Sequence, residues 1–196
     1  MIKNHTELLN ALIEKYNLKS YLEIGVQNPA NNFDKIRCAF KSGCDPDVKD
    51  DTRLISDITS DEFFKRVIET DAVPYDLIFI DGLHHADQVK RDFENSLRCL
   101  SDNGFIVIHD VLPENEAGTI VPRETKQWWG DVYKWAMNIG SYDNIGFKTF
   151  NIDNGCMLVW NQITGENYNG LINNPNWHDY LSYRDKLMNV TDEVII

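Results

Sequence analysis

The sequence predicts an α/β fold: a seven-stranded, mostly parallel sheet with helices on both faces and a C-terminal antiparallel β-hairpin. Three observations predict it. Two apolar runs, Leu77-Ile78-Phe79-Ile80 and Phe105-Ile106-Val107-Ile108, flank a helical pattern in which Val89, Phe93, Leu97 and Leu100 recur at spacings of four and three. Short apolar runs rich in branched and aromatic residues suit strands buried on both faces of a parallel sheet. Each run ends on polar residues, Asp81-Gly82 and His109-Asp110, at the sheet edge where open α/β folds bind ligands. Finally, Asp153-Asn154-Gly155 joins two strand-like runs through strong turn chemistry, which makes the last pair antiparallel.

The remaining elements follow in order. Leu8, Leu9, Leu12, Ile13 and Tyr16 share one face of an opening helix within residues 1–20, which Thr6 can start and which covers the sheet. Tyr21-Leu22-Glu23-Ile24-Gly25-Val26 reads as a strand running into a turn at Gly25. Glu23 is a carboxylate inside an apolar run, and burying a polar group without a partner costs about 2–7 kcal/mol. Its partner is a salt bridge or a helix end on the structural reading, and a ligand on the functional one. Asn31 and Asn32 can cap a helix through Asp34, Ile36 and Ala39, and Lys41 to Asp45 forms the second strand. Asp45 stands roughly 20 residues past the glycine turn, where an acid holds the ribose hydroxyls of nucleotide-type cofactors.

A third strand is expected around Thr52–Ile55. Thr59-Ser60-Asp61-Glu62 then reads as a capping box opening a helix through Phe63, Phe64, Val67 and Ile68. Asn103-Gly104 is expected to end the helix of the central unit. Pro113 to Pro122 is a polar loop of the kind that forms lids. Trp128, Trp129, Val132, Trp135, Ala136 and Ile139 form an aromatic helix, packed as core or standing as one wall of a pocket. Phe147–Ile152 and Cys156–Trp160 are the hairpin strands, and a helix with Trp177, Tyr180, Leu181 and Leu187 closes a helical extension over 165–196. With no repeat or linker, residues 1–196 read as a single domain.

A formal net charge of −12 argues against a nucleic-acid groove or an anionic membrane surface, because phosphate binding needs clustered Lys and Arg. Cys38, Cys44, Cys99 and Cys156 form no CxxC pair, which suits reduced thiols in a cytoplasmic protein. The N-terminus lacks the apolar core of a signal peptide, and no window approaches the ~18 apolar residues of a membrane span.

The glycine turn, Gly25-Val26-Gln27-Asn28-Pro29-Ala30, keeps one glycine where a dinucleotide pyrophosphate needs close backbone approach at several points. A cofactor without phosphates fits better. The ordered set YLEIGV, CDPD, TSDEFF, YDLIFIDGLHH, NGFIVIHD and WWGDVYK, from about Tyr21 to Trp160, resembles the class I S-adenosylmethionine-dependent methyltransferases. Within that class it is most similar to a small bacterial group associated with glycan and secondary-metabolite genes. The resemblance implies a Rossmann-like sheet and S-adenosylmethionine as cofactor. It implies Glu23 and Gly25 at the cofactor's amino-acid moiety, Asp45 at the ribose hydroxyls, and Ser60 and Asp61 beside the adenine. Asp81 would stand at the junction of cofactor and acceptor. The later glycine of the first motif is missing, with Asn28-Pro29-Ala30 in its place.

Relatives that bind magnesium carry acids at the ends of strands four and five. Asp81 and Asp110, with His109 where some relatives have a second acid, therefore imply a site for magnesium or another divalent metal. Magnesium prefers oxygen ligands and imidazole suits transition metals, so metal dependence stays open at this point. The implied reaction is O-methylation of a hydroxylated small molecule or sugar, with His84 or His109 as base beside Asp81. On the structural reading His85 caps the following helix and His109 hydrogen-bonds within the loops. The expected partner is a small-molecule methyl acceptor, not nucleic acid or a membrane, and a homo-oligomer is left open. Two rivals remain: a non-catalytic binding module, suggested by the altered turn, and a hydroxylase-like relative using a redox metal.

Overall fold

The computed structural model describes residues 2–48, 54–70, 74–162 and 171–196. Helix α1 (His5–Tyr16) leads into β1 (Ser20–Ile24), β2 (Phe40–Cys44), β3 (Ile55–Ser56) and α2 (Ser60–Glu69). The central unit is β4 (Tyr75–Ile80), α3 (Ala86–Cys99) and β5 (Leu100–Ile108). A short α4 (Val132–Ala136), the hairpin β6 (Ile145–Phe150) and β7 (Cys156–Asn161), α5 (Trp177–Leu187) and β8 (Val190–Thr191) complete the chain. One sheet runs in the order β3-β2-β1-β4-β5-β7-β6-β8. Strands β1 to β5 pair in parallel, while β7 is antiparallel to both β5 and β6. The expected α/β sheet with its terminal hairpin is present. Among the described residues it holds eight strands rather than seven, because Val190 and Thr191 add a parallel edge to β6 that two residues of local pattern could not announce.

Alternation along the central strands divides the core between two faces. Leu22, Ile24, Ile78, Ile80, Ile106 and Ile108 pack with α2, α3 and α5 through Phe64, Phe93 and Tyr180. Tyr21, Leu77, Phe79 and Val107 point the other way, against Leu8, Leu9 and Leu12 of α1. The continuous apolar runs are thus explained by burial on both sides.

Several local expectations give way to tertiary partners. Asn4, not Thr6, caps α1: its side chain accepts from Glu7 N at 2.9 Å, while Thr6 Oγ1 donates to Asn32 Oδ1 at 2.7 Å. The helix expected after Asn32 is only a 3-10 turn, Phe33–Lys35, because the Asn32 side chain is drawn inward to Glu23 instead of capping. Asn103-Gly104 does not end α3, which stops at Cys99. These residues lie inside β5, and a Cβ on Gly104 would stand 2.7 Å from Leu100 Cδ1. Of the third strand expected at Thr52–Ile55, residues 52 and 53 fall outside the described residues, and β3 starts at Ile55. The capping box at Thr59 is half present, with the Thr59 hydroxyl accepting from Glu62 N at 3.3 Å. The aromatic helix shrinks to five residues, because Gly130 at φ 61° breaks it after Trp129. Residues 165–170 of the expected helical extension also fall outside the described residues, and α5 covers the part around Tyr180. Among the described residues, no helix is long and apolar enough to cross a membrane.

Candidate active site

Parallel, adjacent strands bring their C-terminal ends side by side. Gly25 after β1, Asp45 after β2, Asp81 after β4, and His109 and Asp110 after β5 therefore share one edge. Gly25 takes φ 91°, and a Cβ there would lie 2.2 Å from the Asp81 carbonyl oxygen, so its lack of a side chain lets the β1 turn close on the end of β4.

Glu23 is buried in β1, and its carboxylate accepts from the Tyr21 hydroxyl and, at 2.9 Å, from Asn32 Nδ2. Its partners are thus neutral donors rather than a cation or a helix end. Burial pushes its pKa from 4.5 to about 7, against the two hydrogen bonds, which work to lower it. A folded pKa above the unfolded one means that this group's stabilising effect is complete below about 4.5 and is lost as pH rises through about 7. Urea titrations across that window should show stability falling, with at most about 3 kcal/mol from one such group. Glu23→Gln should flatten the slope; an unchanged slope would place its origin elsewhere.

Asp45 holds the glycine turn as well as facing the edge. Its Oδ2 accepts from Gln27 N at 2.8 Å and its Oδ1 from Asp47 N at 2.7 Å. The altered Asn28-Pro29-Ala30 segment is an ordered turn, closed by Ala30 N to Asn28 Oδ1 at 3.2 Å and Asp34 N to Pro29 O at 3.0 Å. Ser60 and Asp61 stand in the first turn of α2, where Gln88 Nε2 donates to both, at 3.1 and 3.3 Å. Arg91 Nε also reaches Asp61 at 3.4 Å, so these two residues tie α2 to α3.

Around Asp81 the acids and histidines interlock. His84 Nε2 lies 3.3 Å from Asp81 Oδ1, and its Nδ1 lies 3.4 Å from Asp110 Oδ2. His109 Nδ1 lies 3.2 Å from Asp81 Oδ1, while its Nε2 faces the Asp153 carbonyl oxygen at 2.7 Å. A carbonyl only accepts, so Nε2 carries a proton and donates it. Burial works to raise the Asp81 pKa, but the neighbouring His109 and His84 hold it well below the carboxylate range. Burial would depress both imidazoles. The carboxylates of Asp81, Asp153 and Asp110 raise His109 well above 6.5, and Asp81 and Asp110 raise His84. Asp110 itself is raised, first by burial and then by the Asp81 charge.

Two buried atoms here, His84 Nδ1 and Asp110 Oδ1, make no hydrogen bond among the described residues. Asp110 also takes φ 57°, a left-handed conformation uncommon outside glycine. The metal group expected from the sequence was Asp81, His109 and Asp110. On this edge the ligand atoms of Asp81, His84 and Asp110 gather within 4.8 Å of one another, and His109 Nδ1 also lies 3.2 Å from Asp81 Oδ1 and 3.5 Å from Asp110 Oδ1 while its Nε2 faces Asp153.

A clamp invisible to local pattern holds His84. Asp131 N donates to the His84 carbonyl at 3.2 Å, and Asp131 Oδ1 accepts from Ala86 N at 2.8 Å. His85 occupies the N-cap position of α3 but makes no capping bond with its side chain; Asp131 supplies that bond from 45 residues away. The Trp128 ring stacks on His84 with centroids 5.4 Å apart and planes 19° apart, and its Nε1 donates to Ile120 O at 2.7 Å. Trp128 is therefore a wall of the site, and Trp129 is buried core. The sequence alone carried one signal for this clamp, the Gly130-Asp131 pair after two tryptophans.

Residues 22–111 match the family model of a methyltransferase domain. The match spans a little under half of the chain. The same fold occurs in a Staphylococcus aureus protein described as a caffeoyl-CoA O-methyltransferase, 21% identical with a TM-score of 0.61, matching 82% of this chain and 85% of that one. It occurs in the O-methyltransferase TomG of Streptomyces achromogenes, solved with SAM: 11% identical, TM-score 0.60, matching 80% and 79% of the two chains. The MycE methyltransferase of the mycinamycin pathway, solved with Mg and SAH, is 20% identical with a TM-score of 0.52; 86% of this chain matches 50% of that one.

The donor set of this edge fits S-adenosylmethionine, the cofactor that the sequence resemblance implies. Glu23, Asp45, Asp81 and Asp110 offer acceptor oxygens along one edge, with no lysine or arginine among the four residues that follow each of these strands. Such an edge complements a ligand bearing an ammonium, a sulfonium and two hydroxyls, and disfavours a pyrophosphate. The same edge also fits a divalent ion, since Asp110 Oδ1 is buried without a hydrogen bond, 3.5 Å from His109 Nδ1 and beside a second carboxylate.

Proposed function

We propose that this chain, acting as one catalytic domain over residues 1–196, transfers a methyl group from S-adenosylmethionine to a hydroxyl of a small acceptor such as a sugar. The observation that carries this reading is the His84 imidazole, set between Asp81 and Asp110 at the ends of β4 and β5 and covered by Trp128. The cofactor supplies an electrophilic methyl group on a sulfonium. Asp45 accepts from its ribose hydroxyls, Glu23 and Gly25 border its amino-acid end, and Ser60 and Asp61 flank its adenine. His84 takes the proton of the acceptor hydroxyl, so the oxygen's electron pair forms the new O–C bond while the C–S pair returns to sulfur. Asp81 and Asp110 orient the ring and stabilise the imidazolium that forms, as a buried carboxylate does for a histidine base. His109, with both nitrogens engaged, positions Asp81 rather than exchanging protons. Asp81 and Asp110 would hold a divalent ion, which would lower the pKa of an acceptor hydroxyl.

A non-catalytic binding module is not favoured, because the altered turn is ordered and the acid–histidine edge is complete. A hydroxylase-like reading has no observation of its own, whereas TomG, with the same fold, holds SAM. The acidic balance of −12 and the four free cysteines support a cytoplasmic enzyme acting on a small molecule rather than on nucleic acid or a membrane. Calorimetric titration of S-adenosylmethionine and S-adenosylhomocysteine into metal-stripped protein, with and without magnesium, tests the cofactor half. About micromolar binding is expected, weakened at least about tenfold in Asp45→Ala. No binding under either condition would return the weight to the binding module.

A further inference from the structure

A second gathering of ligand-type side chains lies on the far side of His109. His5, the first residue of α1, His109, at the end of β5, and Asp153, in the β6–β7 turn, place their donor atoms within 4.8 Å of one another. His5 Nδ1 is 2.6 Å and His109 Nε2 3.7 Å from the same oxygen, Asp153 Oδ2. The geometry points to a second divalent-ion site at these three residues, suited to zinc or another nitrogen-preferring first-row ion. It is separate from the carboxylate pair of the reacting edge.

Five features carry this assignment. The ligand set, two imidazoles and one carboxylate, is the kind that binds zinc with the remaining position left for water. Ligand atoms around a tetrahedral zinc lie about 3.3 Å apart, for bonds of about 2.0 Å, and the two observed separations fall on either side of that value. His109 already has the outer partner that a metal-binding histidine needs: its Nδ1 faces Asp81 Oδ1 at 3.2 Å, which directs Nε2 toward the site. His5 is preset by its ring, stacked on Phe79 with centroids 5.3 Å apart and edge-on to His109 at 4.7 Å. Asp153 side-chain exposure of 28% and His5 exposure of 21%, against 8% for His109, leave the ion a way in from solvent.

On binding, the ion displaces the proton that His109 Nε2 donates to Asp153, and that proton leaves to solvent. His5 coordinates through Nδ1 in the tautomer protonated at Nε2. The ion would staple the start of α1 and the hairpin turn to the residue that orients Asp81, joining three chain-distant segments.

The test uses the full chain, stripped by chelator and titrated with CoCl2 under visible absorption, with ZnCl2 as competitor. Wild-type protein is expected to develop the bands of nitrogen-ligated Co2+, which ZnCl2 abolishes. His5→Ala and Asp153→Asn should each weaken this binding by at least about 100-fold, the upper end of what loss of an outer partner costs. His84→Ala, which removes none of the three ligands, should leave it intact, and circular dichroism checks that each variant folds. Equal binding in wild type and His5→Ala, or loss of the bands in His84→Ala, would overturn the assignment. So would absence of any uptake by the wild type at about millimolar CoCl2, a result independent of the variants.

Discussion

His84→Ala is expected to lower the rate of methyl transfer by about 100- to 10,000-fold, the range that general-base catalysis contributes. Its affinity for S-adenosylhomocysteine should stay close to that of the wild type. The split follows from placement. His84 touches Asp81 and Asp110 at the ends of β4 and β5, whereas Glu23, Gly25 and Asp45 line the ends of β1 and β2. Removing the imidazole also removes a partner that holds the Asp81 carboxylate ionised, so some loss of acceptor orientation accompanies the loss of the base. Added imidazole should restore part of the rate, because the walls provided by Trp128 and the two acids remain. Formation of S-adenosylhomocysteine, followed at saturating cofactor and acceptor, measures this. Full turnover in the variant would remove His84 from the mechanism.

Gly130→Ala is expected to be the most damaging single methyl addition in the site. The new Cβ would stand 1.8 Å from the His84 carbonyl oxygen and 2.7 Å from the His84 Cβ, at a backbone φ of 61°. The nearest obstruction is backbone, so no side chain can swing away. Left-handed strain for a non-glycine residue costs about 1–2 kcal/mol and forced overpacking about 1–3 kcal/mol more. A loss of about 3 kcal/mol corresponds to a melting point lowered by roughly 6–12 °C for a chain of this size. The bonds from Asp131 to His84 and Ala86 would part as the loop backs away, so turnover should fall further than cofactor binding does. Calorimetric melting and turnover of the purified variant check both effects. A melting point within a degree or so of the wild type would show that the clamp does not bear on folding.

Much of the scaffold was legible from local pattern. The apolar runs of β4 and β5, the hairpin turn Asp153-Asn154-Gly155, and the polar residues closing each strand appear where period and turn chemistry put them. The misplacements share one cause. Asn32, Thr6 and Gly104 have strong local preferences as caps or helix stops, but Glu23, Asn32 and Leu100 respectively are nearer claimants in the folded chain. Propensity is a weak prior when a buried partner is within hydrogen-bonding distance.

The same division holds at the site. That Asp45, Asp81 and Asp110 close strands of one parallel sheet is a local property of each segment, and it suffices to put them on a common edge. Which imidazole joins the acids is not local. His84 and His109 each follow or precede an acid, yet His109 is drawn to Asp153 and His5, and His5 lies 148 positions from Asp153. His84 is kept at the edge by Gly130, Asp131 and Trp128, which approach from a loop beyond β5. Strand identity depends on neighbours a few residues apart, whereas the orientation and charge of a buried side chain depend on whatever atoms lie within a few ångströms. Only the folded chain selects those atoms.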